Sequence, residues 1–225
     1  MTATQHAARP VSAALVLLAG FFGLAAVAYR AHTGTALDHA VFDWFVGHRQ
    51  SWLTVVAIAI TDIGSPGAIV ALAFVAAAVI WWRTRATLTA AVVLATVGLP
   101  SVVSTATKLV VGSDRPPAAT QLLAETDLSF PSGHVTGTVA LLGILAVIVG
   151  QRWGRTPALL TGAALAGFVV AATRLYLGVH WLTDVLGGAV LGSAAVLLGS
   201  AFLSWHATLS TPTRTLVAAG PKLSG

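Results

Sequence analysis

Cysteine is absent from this chain of 225 residues, which excludes disulfides and thiolate metal sites and leaves the redox compartment open. Charge is scarce as well: Asp, Glu, Lys and Arg together make 8% of the residues, against roughly 25% in a soluble domain. That shortage excludes an ordinary water-soluble globule. The net charge of +5 would suit a nucleic-acid partner, but no basic stripe is present to follow a phosphate backbone. The alternation of period two that marks a membrane β-barrel is missing, and so is any convincing repeat between the two halves. What the chain has instead is apolar length, with 56% hydrophobic residues gathered in long runs.

A membrane-crossing helix needs about 20 mostly apolar residues, and the sequence offers six such stretches, at 11–29, 66–82, 88–107, 134–150, 157–177 and 181–204. They are rich in Ala, Leu and Val, with small residues such as Gly188 and Gly192 spaced for close helix approach. Pro100 is expected to kink the third. The expected fold is therefore all-α: a polytopic membrane helical bundle of about six transmembrane helices forming one domain over 1–225. Ala26-Val27-Ala28 resembles a signal-peptide cleavage site, yet the apolar run before it, about 18 residues, exceeds the usual h-region of ~7–15, so 11–29 is read as a span. Residues 35–63 contain a helical face of Leu37, Val41, Trp44 and Phe45 and an apolar run from Trp52 to Ile60 too short to span. The first part is expected to lie in the outer membrane interface, and the Trp52–Ile60 run in the interface or buried against the bundle.

Cation placement gives the sidedness. With both termini inside, Arg9, Arg83, Arg85, Arg152, Arg155, Arg214 and Lys222 fall inside, and all seven acidic residues fall outside. Trp81, Trp82, Trp153 and Trp205 then mark the inner interface, and Trp44, Trp52 and Trp181 the outer one. The expected orientation is N-in, C-in. Whatever the absolute orientation, the connections holding 108–134 and 174–180 are separated by two spans and share a face.

On that face lie three short strings, KLVVGSDRP (Lys108 to Pro116), PSGH (Pro131 to His134) and TRLYLGVHWLTD (Thr173 to Asp184). His180 and Asp184 are four apart, a spacing that puts both on one face at the start of a helix. The carboxylate can hold one imidazole nitrogen and leave the other free to attack. An ordinary i,i+4 pair, or a metal site, would give the same spacing. Against a metal, Lys108, Arg115 and Arg174 would crowd the same cation; these side chains call for an anion. Ser132 is placed to cap a helix whose first backbone N–H groups form an anion site, with Gly133 allowing close approach and His134 one position on. Lys108 and Arg115 flank the turn Gly112-Ser113-Asp114, the former as a point charge and the latter as a two-pronged donor. Taken singly, each string also reads as a helix start, a snorkelling lysine or a satisfied histidine. Together they converge on phosphate chemistry.

The set resembles the type 2 phosphatidic acid phosphatase superfamily, whose signature is Lys-x6-Arg-Pro, Pro-Ser-Gly-His and Ser-Arg-x5-His-x3-Asp. Lys108 with Arg115-Pro116, then 131–134, then Arg174, His180 and Asp184 match it, with Thr173 in place of the usual serine. The resemblance implies hydrolysis of a lipid phosphate or diphosphate without metal or other cofactor. His180 is then expected as the nucleophile that becomes phosphohistidine, Asp184 as its orienting carboxylate and His134 as general acid and base. Lys108, Arg115, Ser132, Gly133 and Arg174 are expected to bind the phosphate. Undecaprenyl pyrophosphate, phosphatidylglycerol phosphate and phosphatidic acid are the expected substrate candidates, at the outer face of a plasma or bacterial inner membrane. The partners expected are that lipid and the bilayer, not nucleic acid. A lipid phosphotransferase with the same site, or a lipid or anion transporter using the cations, are the alternatives.

Overall fold

A computed structural model describes residues 3–210, with side chains over 9–209. Arg214 and Lys222, counted above as inside cations, lie outside the described residues. Within them the chain forms eight α-helices and one 3₁₀ turn, with no strand. The helices are α1 (Ala3–Arg30), α2 (Ala36–Gly47), α3 (Ser51–Ile63), α4 (Pro66–Thr84), α5 (Thr87–Val111), α6 (Gly133–Trp153), α7 (Thr156–Tyr176) and α8 (Leu182–Ser210). Six of them, all but α2 and α3, are long and apolar enough to cross a membrane, so the chain is a multi-pass membrane protein.

Local chemistry sets the helix ends. Thr35 and Asp38 form a reciprocal capping box that starts α2. Ser65 caps α4, its hydroxyl accepting from the Ala68 amide at 3.3 Å, and Pro66 fills the first helical position, where no N–H is needed. Gly112 and Gly154 end α5 and α6 in the left-handed conformation, at φ +63° and +66°. Helix α5 continues through Pro100 to Val111 as one element.

The central helix is α6, which packs on α4, α5, α7 and α8, while α1 lies along α8. A core of Ile69, Val93, Val97, Leu141 and Ile144 joins α4, α5 and α6. The Gly188/Gly192 pair lets the backbones of α6 and α8 approach closely: a Cβ on Gly188 would stand 2.6 Å from the Ser132 carbonyl oxygen, and one on Gly192 2.7 Å from that of Thr136. In a bilayer, where lipid is as apolar as leucine, such close backbone approach is a principal source of helix association.

Residues 35–63 are two short helices set against the bundle. Val41 and Phe45 pack towards Leu175 and Val185, whereas Leu37 and Trp44 of the same expected face are exposed. Two details depart from the sequence-based expectation. Trp181, read as an outer-interface marker, is turned into the protein: it is buried, donates from Nε1 to the Asp114 carbonyl at 2.8 Å and packs against His39 and Phe42. His180 stands before α8 rather than on it.

One cavity, about 740 Å³, is an apolar cleft between α6, α7 and α8 with no titratable residue in its wall. A second cavity of about 550 Å³ opens between α4, α5 and α6 at the face where the three strings meet.

Candidate active site

Five of the eight expected site residues, Lys108, Arg115, Gly133, His134 and His180, line this second cavity. Helix ends deliver them. Lys108 occupies the last turn of α5, Gly133 and His134 open α6, and His180 lies in the short link between α7 and α8. Arg115 follows the Gly112 turn, which is fastened by the Asp114 amide donating to the His32 carbonyl at 2.8 Å.

His180 is 1% exposed, and its bonding fixes its tautomer. Arg115 Nη1 lies 3.2 Å from His180 Nε2. A guanidinium only donates, so Nε2 accepts and carries the lone pair. The proton is then on Nδ1, which faces Asp184 Oδ2 at 3.2 Å. Burial holds the imidazole well below its ordinary pKa, and the charges of Arg115, Arg174 and Lys108 push the same way. A neutral ring with its lone pair towards the cavity is the state a nucleophile requires.

Asp184 is fully buried behind that ring. Its Oδ2 accepts from the Trp181 amide at 2.7 Å and from the Ser129 hydroxyl at 2.5 Å. Ser132 is also buried, and its own amide donates to the Asp184 carbonyl at 3.0 Å, tying the start of α6 to the start of α8. It occupies the N-cap position, but its hydroxyl makes no cap bond and has no protein partner. The first amides of α6 likewise lack partners within the helix, as in any helix N-terminus.

The three cations are held by two carboxylates from the connection between α5 and α6. Asp127 bonds both Lys108, at 3.2 Å, and Arg115. Burial alone would raise the Asp127 carboxyl, but Lys108 and Arg115 outweigh it and keep it below the usual carboxylate range. Glu125 pairs with Arg174 and stands 3.8 Å from Arg115. Arg174 is 1% exposed, bonded also to Thr61 at 2.9 Å, and stands behind Glu125 rather than on the cavity wall. Lys108 also donates to the carbonyls of Leu128 and Ser129, and Arg115 to those of Asp127, at 2.7 Å, and Val179, at 2.6 Å.

Glu125 and Asp127 had entered the sequence argument only through the charge count. The signal available was their position, two acids in the connection that joins two cation-bearing strings. Asp38 gave less warning: it is 2% exposed and accepts from the Thr183 amide at 2.8 Å and from the Thr183 hydroxyl, pinning α2 to the first turn of α8 beside Asp184. Arg49 ties the end of α7 to the connection between α5 and α6, donating to the carbonyls of Tyr176 at 3.0 Å and Thr120 at 2.8 Å. Gly178, at φ +72°, makes room for it, since a Cβ there would lie 2.5 Å from Arg49 Nη2. No group of three or more His, Cys, Asp or Glu suited to a metal occurs among the described residues.

Comparison with known proteins places these observations. Residues 86–208 match the family model described as the PAP2 superfamily. Phosphatidylglycerophosphatase B of Bacillus subtilis is 28% identical over 186 residues, 81% of this chain and 91% of that protein. An undecaprenyl-diphosphatase of Sulfolobus acidocaldarius is 36% identical over 72 residues, 30% of each chain. Among solved structures, the PAP2-type phosphatidylglycerolphosphate phosphatase of Bacillus subtilis superimposes with a TM-score of 0.78 at 26% identity, over 89% of this chain and 98% of that one. The Aquifex aeolicus LpxE structure, at 20% identity and a TM-score of 0.57 over 73% of this chain and 95% of that one, shares the fold.

Proposed function

The chain belongs to the PAP2 superfamily, and on that premise we propose that it hydrolyses a lipid phosphate or diphosphate through a phosphohistidine, at the extracytoplasmic face of the membrane. The observation that carries the reading is the bonding of His180: Nδ1–H on Asp184, lone pair on Nε2, and Nε2 in a cavity walled by Lys108, Arg115 and His134. The substrate candidates are undecaprenyl pyrophosphate, phosphatidylglycerol phosphate and phosphatidic acid. The names of the relatives favour the first two.

The lipid tail stays in the bilayer and the terminal phosphate enters the cavity. Its oxygens take the places now held by the carboxylates of Asp127 and Glu125, on Lys108, Arg115 and Arg174, beside the free amides of α6 and the Ser132 hydroxyl. These donors stabilise the charge that develops on the phosphoryl group. His180 Nε2 forms a bond to phosphorus as the bond to the leaving oxygen breaks, and His134 gives that oxygen a proton. Arg115 releases Nε2 in the same movement, turning its donor to a phosphoryl oxygen. Asp184 holds the Nδ1 proton throughout and balances the positive ring. Water then attacks phosphorus, His134 takes its proton, the P–N bond breaks, and inorganic phosphate leaves with His180 restored.

The test is phosphate release by purified protein in detergent with EDTA over a panel of lipid phosphates, beside a His180→Ala variant. Release that survives EDTA and disappears in the folded variant is the expected result. Normal turnover by folded His180→Ala would reject the nucleophile, and metal-dependent release would reject the mechanism. A phosphotransferase would instead show lipid consumed without stoichiometric inorganic phosphate.

A further inference from the structure

Ser129 lies outside the three strings, yet no side chain is better buried: it is 0% exposed. All three of its polar groups are engaged with the site. The amide donates to the Ser113 carbonyl at 2.9 Å, fastening the turn that leads to Arg115. The carbonyl accepts from Lys108 Nζ at 3.2 Å. The hydroxyl donates to Asp184 Oδ2 at 2.5 Å and lies 3.4 Å from His180 Nδ1.

The geometry points to Ser129 as a positioning residue for the His180–Asp184 pair. This inference rests on the proposed function. Oδ2 of Asp184 is the atom that holds the His180 Nδ1 proton, and Oδ1 has no protein partner. A carboxylate bound through one oxygen can turn about its χ2 axis unless other donors fix that oxygen. Two do so. The Trp181 amide comes from Asp184's own helix start and would serve as a helix cap by itself. The Ser129 hydroxyl comes from a different segment, 55 residues away in sequence, so it alone ties the carboxylate to the Lys108–Arg115 wall. Without it, one anchor remains, and the acceptor that aims the imidazole is held only from its own helix start. The groups around the pair are Lys108, Arg115 and Arg174 on the cation side and Asp38 behind Asp184. None of these can replace a neutral donor directed at Oδ2.

The effect expected of Ser129→Ala is that of losing one hydrogen bond to a charged catalytic group, a fall in kcat of about 10- to 100-fold with KM changed little. The discriminating measurement is a double-mutant cycle with Asp184→Asn, made on lipid phosphate hydrolysis by the purified protein in detergent. If Ser129 acts through Asp184, Ser129→Ala removes activity in the wild-type background and little more in the Asp184→Asn background. Ser129→Thr, which keeps the hydroxyl, regains most of kcat. A wild-type kcat for Ser129→Ala would overturn the inference, as would a loss of the same factor in both backgrounds with no recovery in Ser129→Thr. Absence of phosphate release from the unmodified protein is a different failure, that of the proposed function itself.

Discussion

At the scale of single residues, the site is a set of anions and cations arranged around one neutral ring. Before substrate arrives, Asp127 occupies Lys108 and Arg115 as a phosphate would, with two oxygens and one charge. Half of its side chain is exposed, so the pair is worth no more than ~1 kcal/mol. Asp127→Asn keeps the shape and removes the competing charge. The expected outcome is a fall in KM of up to about fivefold, the equivalent of that energy, read from initial rates against lipid phosphate in mixed micelles. A rise in KM would mean that the carboxylate aligns the cations for substrate instead of competing with it. Lys108, Arg115, His134, His180 and Asp184 were legible in the sequence because charge is costly beside a membrane and rare in this chain, so each charged or basic residue near a span end stands out. Ser129 was not legible. A serine in a polar connection looks like any other, and only the folded chain shows it reaching Asp184.

At the scale of helices, the site depends on how closely α6 and α8 meet. Their N-terminal turns carry His134 and Asp184, and the Gly188 contact sits directly below. Gly188→Val places a branched side chain against the Ser132 carbonyl, 2.6 Å from where its Cβ would be. Overpacking of this kind costs about 1–3 kcal/mol, and the expected result is a fall in Tm of roughly 2–12 °C for a chain of this size, with kcat reduced as Ser132 and His134 shift. Thermal unfolding in detergent, run beside Gly98→Val on an open helix surface as the comparison, checks it; equal Tm values for the two would mean that the contact yields. The long spans were legible from apolar length alone, whereas their ends at Pro66, Gly112 and Gly154 became visible only in the folded chain. The position of His180 was misread because the i,i+4 spacing suits a helix equally well as a helix start, where an aspartate two residues inside reaches back to the link before it.

At the scale of the whole molecule, the bundle has two unlike ends. The end bearing the site carries all of the described acidic residues, while Arg83, Arg85 and Arg152 cluster at the other, with Arg83 over Trp82 and Arg85 over Trp81 at 5.6 and 4.9 Å. Lys and Arg gather on cytoplasmic faces, whereas Trp belts occur at both interfaces, and the proposed orientation puts this end inside. The chain contains no cysteine, so single introduced thiols report sidedness cleanly. A membrane-impermeant maleimide applied to intact cells is expected to label Ala119→Cys, in the connection between α5 and α6, and to spare Gln151→Cys near the end of α6. The reverse pattern would put the chemistry in the cytoplasm.

The same unlikeness has a consequence for recognition from outside. At the end remote from the site, α4 joins α5 through Arg85 and Ala86 alone, and α6 joins α7 through Gly154 and Arg155 alone. At the other end stand α2, α3 and the connection from Gly112 to Ser132. Nearly all of the described relief that an antibody or designed binder could grip therefore surrounds the mouth of one cavity. Epitope and proposed active site share the same ground, so a ligand selected only for tight binding to the folded protein is expected, by position alone, to inhibit it.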